Sequence, residues 1–113
     1  MDATSTLSEA DAGCLARRAL RVATQRAWSL RWDARLAQSI CENAEFAEAV
    51  RGKRGNKTEE AGDMLLAMMI WTEAADVPWS DVVAAAERKC AKLEVAPRYA
   101  GEQFEVPGEG ASP

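Results

Sequence analysis

Two pairs of carboxylates carry the only chemistry this chain advertises: Glu42 and Glu45 in ENAE, and Glu60 and Asp63 in EAGD. Partners three residues apart on a helix lie on one face, one turn up. Fourteen residues separate Glu45 from Glu60, and they include the run RGKRGN at 51–56, whose two glycines mark a turn. Two helices joined by that turn and packed antiparallel would bring four carboxylates to one groove. Carboxylates at close range repel one another, and each then favours its protonated form. A divalent cation removes the conflict. Oxygen-only ligands suit a hard ion, Mg²⁺ or Mn²⁺, whose chemistry commonly involves phosphates brought by a substrate. Either pair alone is ordinary helix-surface charge, so the ordered combination carries the argument.

The elements that must position these groups are helical. From Leu7 to about Ala27 the pattern predicts a helix with Leu15, Ala19, Val22 and Ala23 inward and Arg17, Arg18 and Arg21 on the wet side. The segment WSLRWDARL either continues this helix or bends it near Ser29. A second helix is predicted from about Asp33 to Val50, with Leu36, Ile40, Ala44 and Ala47 forming its apolar face. The third begins near Lys57 or Thr58, with Thr58 as N-cap, and runs to about Ala75. After the break DVPWSD, where the chain could restart a helix at Pro78 or cap it with Ser80, a fourth helix runs to about Leu93 and turns Val82, Val83, Ala86 and Cys90 inward. No alternation of strand type is visible. The expected fold is all-α, an antiparallel four-helix arrangement over residues 7–96, followed by an extended tail, 97–113, rich in Pro, Gly and Glu. In the third helix Met64 to Trp71 is apolar around its whole circumference. Such a helix must be walled on every side, and three partners in so small a chain leave a gap. A second copy is expected to fill it, giving a homodimer or homotetramer, with Trp71 and Trp79 in core and interface.

Composition excludes several function classes. Fourteen Lys and Arg against 18 Asp and Glu give a net charge of −4, so no nucleic-acid surface is expected. The absence of histidine removes Ser-His and Cys-His nucleophile systems, His-ligated zinc and imidazole acid–base catalysis. Cys14, Cys41 and Cys90 lack paired spacing and read as free thiols, Cys41 as a small buried hydrophobe. No signal-peptide pattern precedes the first helix, and the longest apolar run falls short of the roughly 20 residues of a membrane span. A cytoplasmic, membrane-free setting is expected.

ENAEFAEAV followed by EEAGDMLLAMMIWTEAADVPWSDVVAAAERK resembles the MazG-like all-α nucleoside triphosphate pyrophosphohydrolases. Their hallmark is E-x-x-E, a spacer, then E-x-x-D, and Glu42, Glu45, Glu60 and Asp63 fill the four positions. The resemblance spans roughly residues 28–99. It implies Mg²⁺-dependent hydrolysis of a nucleoside triphosphate to the monophosphate and pyrophosphate, with the acidic residues holding metal and an activated water attacking the α-phosphorus. Glu45 is the candidate to position or deprotonate that water. Family members commonly carry K-x-x-K-N followed by R-Y after the last helix. Here Lys89, Lys92, Arg98 and Tyr99 are kept as candidate substrate contacts, while Leu93 replaces the Asn and the spacing to Arg98 is stretched. Trp28 and Trp32, four apart, could share a face on which a base stacks. The other reading is a non-catalytic helical interaction module that kept the fold, and the Leu93 departure favours it.

Overall fold

The computed structural model describes residues 9–97, and side chains from residue 12 onward. Those residues form four helices and no strand: α1 (Glu9–Gln25), α2 (Trp32–Val50), α3 (Lys57–Ala74) and α4 (Trp79–Val95). None is long and apolar enough to cross a membrane. The expected tail, with Arg98 and Tyr99, lies outside the described residues.

The core explains why α3 is central. Ala16, Ala19 and Ala23 of α1 meet Met69 and Ile70 of α3 and Trp79 of α4, flanked by Leu15, Leu66, Val82 and Val83. The small alanine stripe lets α1 lie close to α3, and the large side chains of α3 and α4 fill the space it leaves. Helix α3 touches the other three helices, whereas α2 touches α3 alone and makes no contact with α4. Helix α2, which carries one of the two acidic pairs, is therefore an arm on the core rather than part of it.

The helix ends follow from local backbone chemistry. Helix α2 stops in a Schellman motif, with the Lys53 amide bonded to the Glu48 carbonyl at 3.0 Å and the Gly52 amide to Ala49 at 3.1 Å. Gly52 takes the left-handed conformation this needs, φ 75°. Helix α1 ends the same way, two residues earlier than its periodicity predicts. There Trp28 donates to the Ala23 carbonyl at 3.0 Å, Ala27 donates to Thr24 at 3.0 Å, and Ala27 sits at φ 58°. A left-handed alanine costs about 1–2 kcal/mol, and no glycine announces the stop. At the end of α3 the left-handed residue is Asp76, φ 60°. The cap of α3 is Asn56 rather than the expected Thr58: its side chain accepts from the amides of Thr58 (2.9 Å) and Glu59 (3.1 Å). Helix α4 begins directly after Pro78, so Ser80 lies inside it and caps nothing.

The expected inward face of α2 points outward, and so does part of that of α4, whose Val82 and Val83 do pack on the core. Leu36, Ile40, Ala44 and Ala47 of α2 are all exposed, Ile40 by 59%. Polar residues of α2 face α3 instead, among them Ser39, Glu42 and Asn43. Periodicity identifies the face that seeks an apolar neighbour, but not which chain supplies it. Ala86 and Cys90 of α4 and Cys41 of α2 are likewise exposed. On α3, Ala67, Met69 and Ile70 are buried, while Leu65 and Met68 remain 41% and 47% exposed. One side of that apolar helix lacks a wall among the described residues.

Candidate metal centre

Glu42 and Glu45 of α2 meet Glu60 and Asp63 of α3, and one carboxylate oxygen from each lies within 4.8 Å of the others. The link between the helices sets this geometry. The Schellman motif reverses the chain, the Asn56 cap starts α3, and the Glu60 amide bonds to the Asn56 carbonyl at 2.9 Å. That places Glu60 one turn into its helix. Gly55, φ 83°, allows the close approach: a Cβ there would stand 3.2 Å from Glu60 Oε1. Arg54 bonds Glu48 at 2.6 Å across the same turn. Both side chains are substantially exposed, so the pair orients the loop more than it stabilises it.

The inner oxygens lack partners. Gln38 Nε2 donates to Glu42 Oε1, but Glu42 Oε2 and Glu60 Oε2 are buried with no hydrogen bond. Leaving such an oxygen unsatisfied is unfavourable, the more so when it is charged. Four convergent oxygen donors with two orphaned atoms could hold a hard cation. The electrostatics point the same way. Burial, then repulsion from Glu45, Asp63 and Glu60, pushes the Glu42 carboxyl above its ordinary value. Glu60 is raised by burial and by repulsion from Glu45 and Asp63, which the nearby Arg54 offsets only in part.

The sign of the pH dependence follows. A carboxyl raised in the folded state binds its proton more tightly there than in the unfolded chain. Its stabilising contribution is complete below the ordinary glutamate value, about 4.3, and is lost as pH rises through the folded value. In chelator, the contribution of Glu42 and Glu60 to the melting temperature should fall as pH rises above the ordinary glutamate value. A Mg²⁺ ion held here would need the deprotonated ligands, so any rise in melting temperature on adding it should grow over the same interval. Paired melts with Mg²⁺ and with chelator across this range check the point, and a Mg²⁺ increment independent of pH would contradict it.

Beside the carboxylates lies a cavity of about 380 Å³. Glu42 and Asp63 line it together with Trp28, Ser29, Arg35 and Gln38, and Leu66, Ala67 and Ile70 of α3 supply its apolar lining. Trp28 reaches the cavity from the link after α1, where its amide closes the Schellman motif. Trp32 opens α2, is 67% exposed and does not line the cavity. The two tryptophans are thus not paired on one helical face, because α1 stops before Trp28. Lys89 and Lys92 are exposed on α4, which does not touch α2, and neither lines this cavity. Leu93 beside them is 58% exposed. Arg35 and Gln38 were not singled out from the sequence, although Arg35, Gln38 and Glu42 follow the helical spacing of three and four that marks a shared polar face. Compared with protein-family models, curated proteins and solved structures, the chain matches none.

Proposed function

We propose that this chain is a Mg²⁺-dependent nucleoside triphosphate pyrophosphohydrolase of the MazG-like kind, with Mn²⁺ as an alternative ion. It would convert a (d)NTP to the (d)NMP and pyrophosphate, a house-cleaning reaction on surplus or non-standard nucleotides. The observation that carries the reading is the convergence of four carboxylates with two orphaned oxygens beside a cavity of ligand size. Glu42, Glu60 and Asp63 would hold the cation together with Glu45. When bound, a divalent ion lowers the pKa of water and neutralises phosphoryl oxygens. Glu45 is exposed, so its carboxylate is open to solvent and can take the proton of the attacking water as general base. The oxygen of that water bonds to the α-phosphorus, the bond from phosphorus to the α–β bridging oxygen breaks, and pyrophosphate leaves with the electron pair. Histidine is not needed at any point. Metal-dependent release of pyrophosphate with the monophosphate as co-product tests the reading.

The same reading takes the helices as an antiparallel set completed by a second copy, as homodimer or homotetramer. Two features support this: the outward stripe of α2, and an apolar groove of about 700 Å³ between α3 and α4 lined by Leu65, Met68 and Val82. The separation of Lys89 and Lys92 from the carboxylate arm favours a second reading. In it the chain is a non-catalytic helical oligomerisation or interaction module that kept the fold.

A further inference from the structure

Arg35 is the one buried charged residue among the described residues, 6% exposed. Its Nε donates to the Ser29 carbonyl at 2.9 Å, while its Nη1 is buried and has no hydrogen-bond partner. Neither ion pair of the described residues involves it. A guanidinium stays charged at any working pH and offers only donors. A buried donor of that kind without an acceptor is costly, and holding the exposed Ser29 loop does not require a charge. The side chain makes physical sense once a ligand supplies the acceptor.

The cavity it lines is graded. Glu42 and Asp63 meet in the acidic cluster, whereas Arg35 lies about two turns from Glu42 along α2 and bonds the Ser29 carbonyl next to Trp28, with Leu66 and Ile70 among the apolar lining. A volume of about 380 Å³ lies at the lower end of small-molecule sites. A polyphosphate belongs with the cation-binding carboxylates, and a flat ring belongs between tryptophan and aliphatic side chains. The group facing Arg35 is then an edge of the base.

We propose that Arg35 reads that edge, its Nη1 donating to an exocyclic carbonyl oxygen, so that the site takes 6-oxopurines over adenine. This assignment rests on the nucleotide reading above. A 6-oxopurine presents acceptors at O6 and N7, whereas adenine sets an amino donor at position 6 against the donor-only guanidinium. Discrimination of about 10- to 100-fold is the scale for a well-placed pair of this type.

Inosine and adenosine form the smallest informative pair. They need no metal, no phosphate and no turnover, and ligand-observed NMR gives their dissociation constants on the full chain. Inosine should bind at least about 10-fold more tightly. Arg35→Met should erase the preference while keeping or raising the metal-free melting temperature, because it removes an unpaired buried charge. Arg35→Lys, which keeps the cation, should retain part of the preference. Equal binding, preference for adenosine, or no binding of either nucleoside would overturn the proposal. So would Arg35→Met with a lowered melting temperature and an intact preference, which would make Arg35 a loop anchor only. Should Arg35→Met fail to fold, the wild-type ratio and Arg35→Lys decide alone. Inosine preference without hydrolysis of any triphosphate would sink the enzymatic reading and leave Arg35 as a base reader. Hydrolysis without base preference would do the reverse.

Discussion

Glu42→Gln should lower metal-dependent pyrophosphate release by about 10²–10⁴-fold while raising the melting temperature of the metal-free protein. The two effects have one cause. Glutamine keeps the size and shape of the side chain, and its amide can still accept from Gln38, as Glu42 Oε1 does now. It removes one of four negative charges whose ligand oxygens lie within 4.8 Å of one another, so Glu45, Glu60 and Asp63 repel one another less. It also removes a buried carboxylate oxygen that has no partner in the protein. Without metal the fold gains, because Glu42 is held above its ordinary pKa by burial and by its neighbours' charge. With metal the site loses a ligand. A cation contributes several kcal/mol of charge stabilisation to phosphoryl chemistry, and each 1.36 kcal/mol is a factor of ten in rate. Asp63→Asn should behave alike. Pyrophosphate release and melting curves in chelator, run on one preparation, read both effects. Unchanged turnover in Glu42→Gln would remove the cluster from the chemistry, and a lower metal-free melting temperature would mean that the carboxylate supports the fold.

Under the proposed assembly, Ile40→Glu should convert the oligomer to monomer without unfolding the chain. Ile40 is 59% exposed on the outward stripe of α2 and lies outside the core. In a monomer, an exposed substitution of this kind changes stability by no more than about 0.5 kcal/mol. In an interface, the new carboxylate must be stripped of water against apolar side chains, which is strongly unfavourable. Met68→Glu probes the other open face, where Met68 and Leu65 border the α3–α4 groove. Sedimentation of the wild type and both variants distinguishes the surfaces. A wild-type chain that sediments as a monomer would contradict the assembly. An oligomer that neither substitution dissociates would place the contact elsewhere.

Much of this arrangement was legible in the sequence because its signals are local. Glycines at 52 and 55 announced the α2–α3 turn, and helical spacing set each carboxylate pair on one face. With the turn short, the two pairs had few ways to avoid each other. The end of α1 was not legible: Ala27 adopts a left-handed conformation normally held by glycine, and the bonds from Trp28 and Ala27 back into the helix support it. The cap of α3 was misplaced because Asn56 and Thr58 are both good caps two residues apart. Asn56 prevails by reaching two amides from outside the helix. The stripe Leu36–Ile40–Ala44–Ala47 was seen, but its direction was not, since α2 meets α3 through polar groups. The role of Arg35 is not legible in the sequence for a related reason. An arginine on an amphipathic helix ordinarily faces water, and only the fold of the link around Ser29 buries this one.

The most direct test of the hydrolase reading is product analysis from a panel of ribo- and deoxyribonucleoside triphosphates, with Mg²⁺ and with chelator. The account predicts that at least one triphosphate yields pyrophosphate and its monophosphate in equal amounts, only when Mg²⁺ or Mn²⁺ is present. No release from any triphosphate with either ion, or release of orthophosphate in place of pyrophosphate, would contradict it.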